Sequence, residues 1–314
     1  MLVPRRAVTT GVSKLLFLAY PCNFFFLNEL NMAVDEKRSR LAFQRLGREL
    51  TRIARKPAPE SIHKFRTNSR RVEALLTDVV LELDRNDEKL LKLLARLRKR
   101  AGKVRDLDVQ LAALRDLKIA QGNGHKAQLL EVLIEERGER ERKLGKAFNR
   151  EIASQIRKRL KRAAGRLTIP KNTEPLALTL SKLAQLNRDH APLTEKTLHE
   201  YRIIGKRARY IAELADDDPA AKRVIEQLKH MQDVLGDWHD WLKLTQRAEQ
   251  LLGSVRDSAL VSMLRNVTQA KFRQSLDAVA EIRSVFAGKE LRARSTPALT
   301  RKSIAREPSR AAVA

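Results

Sequence analysis

The sequence has 314 residues, enough for one large or two medium-sized domains, and 64 Lys and Arg against 38 Asp and Glu give it a formal net charge of +26. Aromatic residues make up 4% and charged residues 32%, a composition that is typical of long amphipathic helices and argues against β-sandwiches and β-barrels. The single cysteine, Cys22, excludes an intramolecular disulfide and a cysteine-based zinc site, which fits a reducing compartment such as the cytoplasm.

The first element in chain order is an apolar run over residues 15–27 that follows basic residues, the layout of a signal peptide. Pro21 and Asn23 interrupt the run, no small-residue cleavage site follows it, and it is too short to span a bilayer as a helix. We therefore predict that residues 1–37 are an N-terminal extension, with Met32 as the candidate true start. A membrane anchor is the alternative.

Apolar residues then recur with a helical period through most of the chain. The period and the Pro and Gly punctuation predict helices at about 38–55, 60–83, 87–102, 106–118, 125–164, 176–190, 195–215, 219–235, 239–252 and 254–286. Residues 170–175 are predicted to link two halves, 38–169 and 176–288, of one helical region, 38–288. The segment 289–314 lacks the apolar period and is predicted to be a disordered basic tail.

An internal repeat relates the two halves. Each half has a His followed by Arg at +3 and by basic residues at +7 and +8; the residues are His63, Arg66, Arg70 and Arg71, and then His199, Arg202, Lys206 and Arg207. Further along, the segment from Gly102 to Asp106 matches the segment from Gly236 to Asp240. The repeat predicts two halves of similar architecture.

The helical period places the repeated basic residues on one face of each helix. His63, Arg66 and Arg70 share an arc of about 60° at 100° per residue, and His199, Arg202, Lys206 and Arg209 share a similar arc on their own helix. Arg71 and Arg207 point elsewhere, a direction that suits pairing with acids. Each pattern predicts an anion site, although a solvated basic face is the alternative for either helix alone. Asp106 and Asp240 are predicted to form ion pairs that orient the basic side chains.

No pattern in the sequence indicates catalysis or a metal centre. His63 and His199 lie among cations and form no His pair at i, i+4, so neither is expected to bind a metal, and no cofactor is expected. A Glu-x-Glu-x-Lys match at residues 139–143 resembles the signature of triphosphate-tunnel hydrolases. That signature needs the alternation of a strand, and this copy lies in a predicted helix, so we interpret it as a chance match.

With these residues in place, the sequence resembles the CHAD family of conserved-histidine α-helical domains over roughly residues 38–288. The resemblance rests on the two His-x-x-Arg-x-x-x-basic-basic helices and on the segment from Arg105 to Asp108. It implies an all-α fold of two similar four-helix bundles related by internal duplication, with a basic groove between them. The second half departs from the first where His239 replaces Arg105 and where Glu200 stands opposite Lys64.

The family resemblance also implies a function, namely binding of inorganic polyphosphate in the central groove, often at polyphosphate granules. The residues that it implicates are His63, Arg66, Arg70, Arg71, Arg105, His199, Arg202, Lys206, Arg207 and Arg209. The triphosphate-hydrolase domain of some relatives has no counterpart here, so we expect a non-enzymatic, cytoplasmic binding protein without stable membrane insertion. Nonspecific binding of DNA or RNA through the phosphate backbone is the alternative function. Nucleic acid is also a candidate secondary ligand of a polyphosphate-binding protein. The sequence does not predict an oligomeric state.

Overall fold

The described residues form an all-helical fold, which confirms the predicted class. The computed structural model describes residues 36–55, 57–119, 124–170, 173–187, 192–215, 218–253 and 258–294, and no strand occurs among them. The helices are α1 (Glu36–Arg55), α2 (Pro59–Ala74), α3 (Arg85–Asp116), α4 (His125–Ala147), α5 (Arg150–Gly165), α6 (Pro175–Asn187), α7 (Glu195–Ala212), α8 (Pro219–Leu252) and α9 (Ala259–Arg294). A π-helical turn, Leu75–Val79, extends α2, and a 3₁₀ turn, Glu213–Ala215, extends α7.

The first half packs around one apolar core. Helices α1, α2, α3 and α5 bury their apolar faces against one another, and the C-terminal end of α4 joins them through Leu144. Phe65 on α2 is fully buried and meets the ring of Phe148 edge to face, with centroids 5.1 Å apart. Such a pair contributes about 0.5–1.5 kcal/mol beyond the burial itself. The core therefore fixes the rotation of α2 and with it the direction of the opposite, basic face.

The second half has its own core, and a third apolar cluster joins the two halves. Helices α6 to α9 surround Trp238 on α8, which is fully buried. The joining cluster contains Leu114 and Leu129 from α3 and α4, and Leu244 and Leu264 from α8 and α9. Because this shared core is buried, it holds the C-terminal parts of α3 and α8 at a fixed spacing.

Three predicted helix boundaries are wrong. The sequence predicts helix breaks after Gly102 and at residues 236–238, but α3 and α8 each run through these positions unbroken. The predicted helix over 125–164 is instead two helices, since the chain turns at Phe148 and the Asn149 side chain caps α5 by accepting a hydrogen bond from the Ile152 N–H at 2.8 Å. The first half therefore contains five helices rather than four in the described residues.

The termini of the predicted helical region also differ in detail. Helix α1 begins at Glu36, so residues 36–37 of the predicted N-terminal extension are helical, and residues 1–35 lie outside the described part of the chain. Helix α9 continues through Arg294, six residues into the predicted tail, and residues 295–314 also lie outside the described part. Among the described helices, none is both long and apolar enough to cross a bilayer.

Candidate anion-binding groove

A groove lies between the two halves, where α2 packs against α7 and α3 packs against α8. Its cavity volume is about 720 Å³, and residues of these four helices line it; we call it the central groove. Eight of the ten predicted polyphosphate-binding residues line it, namely His63, Arg66, Arg70, Arg71, Arg105, Arg202, Lys206 and Arg209. The fold thus brings together side chains that are more than 130 residues apart in sequence.

On the first half, Arg66 occupies a notch in α3. A Cβ atom added at Gly102 would lie 2.2 Å from Arg66 Nη1, so the glycine leaves room for the guanidinium. Arg66 Nη1 also donates to the Arg98 carbonyl oxygen at 3.4 Å. Burial and the neighbouring Arg70 lower the pKa of Arg66 to about 10. Helix α3 therefore continues through Gly102, and the Arg66 guanidinium lies in the space that a side chain there would take.

On the second half, Lys206 and Arg202 of α7 face the same groove. Burial lowers the pKa of Lys206 to about 7, and the positive charges of Arg202 and Arg70 add to that shift. Burial and Arg70 also lower the pKa of Arg202, although Asp240 opposes the shift. The Nε–H of Arg202 is buried and has no hydrogen-bond acceptor among the described residues. These groups are desolvated cations that an anion would stabilise.

Two carboxylates line the groove together with these cations, Asp106 on α3 and Asp240 on α8. Desolvation raises the pKa of Asp106, the charge of Arg66 opposes this shift, and the charge of Asp240 adds to it. Asp240 Oδ1 lies 3.4 Å from His239 Nδ1. The two acids are therefore close enough to interact with each other and with cations of both halves. Both acids act on the groove arginines through charge, and neither forms a hydrogen bond with one among the described contacts. Their predicted role in orienting the basic side chains therefore stays a prediction.

The two repeated histidines are placed differently. His63 lines the central groove, and desolvation together with the charges of Arg105 and Arg66 lowers its pKa. His199 does not line it; its ring stacks on His239 instead, with centroids 6.0 Å apart and planes inclined by 28°. The two histidines differ in their neighbours, because His239 stands where the first half has Arg105 and provides His199 with an aromatic ring to stack on.

Arg71 and Arg207 form reciprocal ion pairs between the halves. Arg71 Nε on α2 donates to Glu213 Oε2 at 2.6 Å, in the 3₁₀ turn after α7. Arg207 on α7 forms a bidentate pair with Asp78 in the π-helical turn after α2, with Nη2 2.6 Å from Asp78 Oδ1. Arg207 does not line the central groove, whereas Arg71 does. Both arginines therefore pair with acids, as their rotation on the helices predicts, and the structure shows that these pairs join the halves.

The structure adds groove residues that the sequence pattern misses. Lys64 and Lys229 line the central groove, and so do Asp233 and Asp237 on α8. A smaller cavity of about 360 Å³ between α2 and α3 shares Arg66, Arg70 and Asp106 with the groove and adds Lys99 and Lys103. These residues carry no motif of their own, so only the packing of α3 and α8 identifies them. Among the described residues, no cluster of His, Cys, Asp and Glu could hold a metal ion.

Fold and groove together define an all-helical protein in which two helical halves share a cation-lined groove. A family model for the CHAD domain matches residues 38–249, and the chain belongs to the CHAD family. This finding confirms the resemblance described from the sequence.

Two solved structures share the fold. The CHAD domain from the plant Ricinus communis has 16% sequence identity and a TM-score of 0.60, with 82% of this chain and 94% of that chain covered. PptA from Streptomyces chartreusis has 16% identity and a TM-score of 0.56, with 81% and 97% covered. At this identity the likeness concerns the fold alone. A search of curated protein sequences returned no match.

Proposed function

We propose that the protein binds inorganic polyphosphate in the central groove and does not cleave it. The observation that carries the proposal is the convergence of desolvated cations from both halves on one cavity, with the pKa of Arg66 lowered to about 10 and that of Lys206 to about 7. Mutual repulsion and lost hydration make this cluster unfavourable without an anion. A polyanion would supply both the missing countercharge and acceptors for the buried N–H groups. Association with polyphosphate granules in the cytoplasm is part of this proposal.

The shape of the site favours a thin, flexible polyanion. Nine Lys and Arg side chains line the central groove against four Asp, and the aromatic residue that lines it, Tyr210, lies against the guanidinium groups of Arg71 and Arg209 rather than standing free. Single-stranded nucleic acid is usually bound by aromatic rings on which bases stack, and a duplex is a wide, rigid rod. Contacts between Lys or Arg and phosphate groups would be sufficient to bind polyphosphate, because this polymer has no bases to recognise.

A competition titration tests the proposal against the nucleic-acid alternative. Long-chain polyphosphate and duplex DNA are titrated at equal phosphate concentration and near-physiological salt, and polyphosphate is expected to bind more tightly. Its affinity is expected to fall steeply with added salt, because each Lys or Arg contact releases counterion. Tighter binding of DNA would favour the alternative, and an affinity insensitive to salt would contradict a charge-driven site.

We expect no hydrolysis of polyphosphate or nucleoside triphosphates, with or without Mg²⁺ or Mn²⁺. The Glu-x-Glu-x-Lys match lies within α4, where Glu139 pairs with Lys143 at 3.0 Å and Glu141 pairs with Arg137 at 2.6 Å. Residues two apart on a helix point about 200° away from each other, so the two glutamates do not converge. Phosphate release is the measurement, and release that disappears in a Glu141→Ala variant would overturn the expectation.

The affinity for polyphosphate is expected to fall as the pH rises above about 7. An anion binds the protonated form of Lys206, whose pKa in the free protein is about 7, so above that pH binding must include uptake of a proton. The loss approaches about one tenfold step per pH unit until the pKa of the bound form is reached. His63, with a pKa below its ordinary value, adds a smaller dependence at lower pH.

Lys206→Arg is the matched variant for this pH dependence, because it keeps the charge and replaces the titrating amine. Its affinity is expected to change much less between about pH 7 and pH 9. Isothermal titration in two buffers of different ionisation enthalpy measures the proton uptake directly. Equal pH profiles for parent and variant would show that Lys206 is not the titrating group.

A further inference from the structure

The groove continues differently into the two halves. The first cleft, between α2 and α3, is lined by Arg66, Arg70, Arg98, Lys99, Lys103 and Asp106. When Gly102 is matched with Gly236, as the sequence repeat indicates, the equivalent residues of the second half are Arg202, Lys206, Gln232, Asp233, Asp237 and Asp240. All six line the central groove between α7 and α8, and we call them the second cleft. The same place in the two halves can therefore be compared residue by residue.

The charges of the two clefts are opposed at two positions. Lys99 and Lys103 of α3 are exposed, and neither pairs with an acid among the described residues. Their counterparts on α8 are Asp233, which is exposed, and Asp237, which pairs with Lys271 at 2.7 Å. The first cleft thus carries five cations, of which Arg98 pairs with Glu73 at 2.6 Å, and one carboxylate. The second carries two cations and three carboxylates, of which Asp237 has its partner in Lys271.

Lys99 and Lys103 stand one helical turn apart on one face of α3, an arrangement of like charges that costs stability in an isolated helix. Both lysines line the first cleft together with Arg66, which also lines the central groove. A polyanion that leaves the central groove over this edge meets further cations. One that runs along α8 meets Asp233 and Asp237 in the lining of the groove, and Lys229, together with the Lys271 partner of Asp237, offsets only part of that repulsion.

We propose that Lys99 and Lys103 form an outer subsite for polyphosphate and that the bound chain leaves the central groove over α3, through the first cleft, rather than along α8 past Asp233 and Asp237. The inference rests on the proposed function and makes it more specific, since it assigns a preference for long chains. A short chain fills only the central groove, where cations of both halves bind it. A longer chain extends into the first cleft and gains contacts with Lys99 and Lys103.

The test compares chain lengths in a variant of the outer subsite. Lys99→Gln/Lys103→Gln is expected to bind inorganic triphosphate like the parent and long-chain polyphosphate roughly tenfold more weakly, with the slope of log affinity against log salt smaller by about 2. Lys89→Gln/Lys92→Gln is the matched control, because both lysines are exposed on α3 and line neither cavity. It is expected to bind both ligands like the parent. Helical circular dichroism verifies the fold of each variant.

A second variant tests the asymmetry itself. Asp233→Lys gives the α8 side of the central groove the charge that Lys99 has in the first cleft, so it is expected to raise the affinity for long-chain polyphosphate several-fold and that for inorganic triphosphate by a smaller factor. An unchanged affinity would overturn the assigned exit. If the parent binds polyphosphate and the Lys99→Gln/Lys103→Gln variant matches it at every chain length, the outer subsite is wrong while the central groove stands. A parent that binds no polyphosphate overturns the proposed function, and the subsite with it.

Discussion

Replacing Arg66, Arg70, Arg202 and Lys206 together with Gln is expected to lower the affinity for polyphosphate by at least about a hundredfold. A charge-assisted hydrogen bond contributes about 1.5–3 kcal/mol, so the loss of four would exceed that factor even if the effects are far from additive. All four side chains line the central groove, two from each half. Changing only the pair on α2, or only the pair on α7, is expected to weaken binding substantially, because neither half alone encloses the chain.

The fold of this quadruple variant is expected to survive. The four side chains lie on the faces of α2 and α7 opposite to the buried Phe65 and Tyr201, and burial already disfavours the charges of three of them. The melting temperature should therefore stay equal or rise. A matched control removes the same number of arginines and lysines from exposed positions outside both cavities, with the substitutions Arg45→Gln, Arg48→Gln, Arg96→Gln and Lys161→Gln. A quadruple groove variant that keeps its helices and binds like the parent would place the site elsewhere.

Much of the candidate site can be predicted because helix geometry alone fixes which residues share a face. The spacing of Arg66 and Arg70 from His63 places all three on one side of α2, and the structure finds them together in the central groove. The same geometry turns Arg71 and Arg207 away from these three residues, and both form ion pairs between the halves, although Arg71 also lines the central groove. Whether the lining residues bind polyphosphate stays a prediction.

The remainder of the site depends on how helices cross. Lys99, Lys103 and Asp233 look like ordinary surface charges in sequence, and only the packing of α3 against α2 and of α8 against α7 turns them toward a cavity. His199 matches His63 in sequence, yet its neighbour His239 provides a stacking partner outside the groove. Residue pairs that are distant in sequence decide these placements, and a single sequence does not display them.

Helix boundaries also divide into those that the apolar period of one helix determines and those that packing between helices determines. The apolar period predicts the helical class and the approximate extent of α1, α2 and α7, because burial of one face dominates there. Gly102 is a plausible helix end in sequence, whereas in the structure it accommodates the Arg66 guanidinium inside α3. The turn at Phe148 carries neither Gly nor Pro, so the break between α4 and α5 depends on the burial of that ring against Phe65 and on the cap at Asn149.

The ion pairs between the halves bear on the stability of the groove. Asp78 has a side chain only 3% exposed, and it accepts hydrogen bonds from Arg207 of α7 and pairs with Lys182 Nζ of α6 at 2.9 Å. A single carboxylate of the first half therefore holds two cations of the second half. Arg71 and Glu213 make the reciprocal connection. These pairs lie at the α2 and α7 side of the groove, and the shared apolar core lies beyond it along α3 and α8.

Asp78→Ala is therefore expected to lower the free energy of unfolding by about 1–3 kcal/mol, because it leaves Arg207 and Lys182 without their shared acceptor. Arg207→Ala should cost less, since Asp78 keeps Lys182. Thermal and denaturant unfolding of both single variants and of the double variant gives a cycle whose coupling energy is expected to reach about 1 kcal/mol. Glu131→Ala, an exposed acid on α4 with no ion pair among those described, is the control and should leave stability unchanged.

Single effects that simply add in the double variant would show that the Asp78–Arg207 contact does not hold the halves together. Polyphosphate affinity measured on the same proteins would then show whether groove geometry depends on this contact, with a weaker affinity in Asp78→Ala as the expected result.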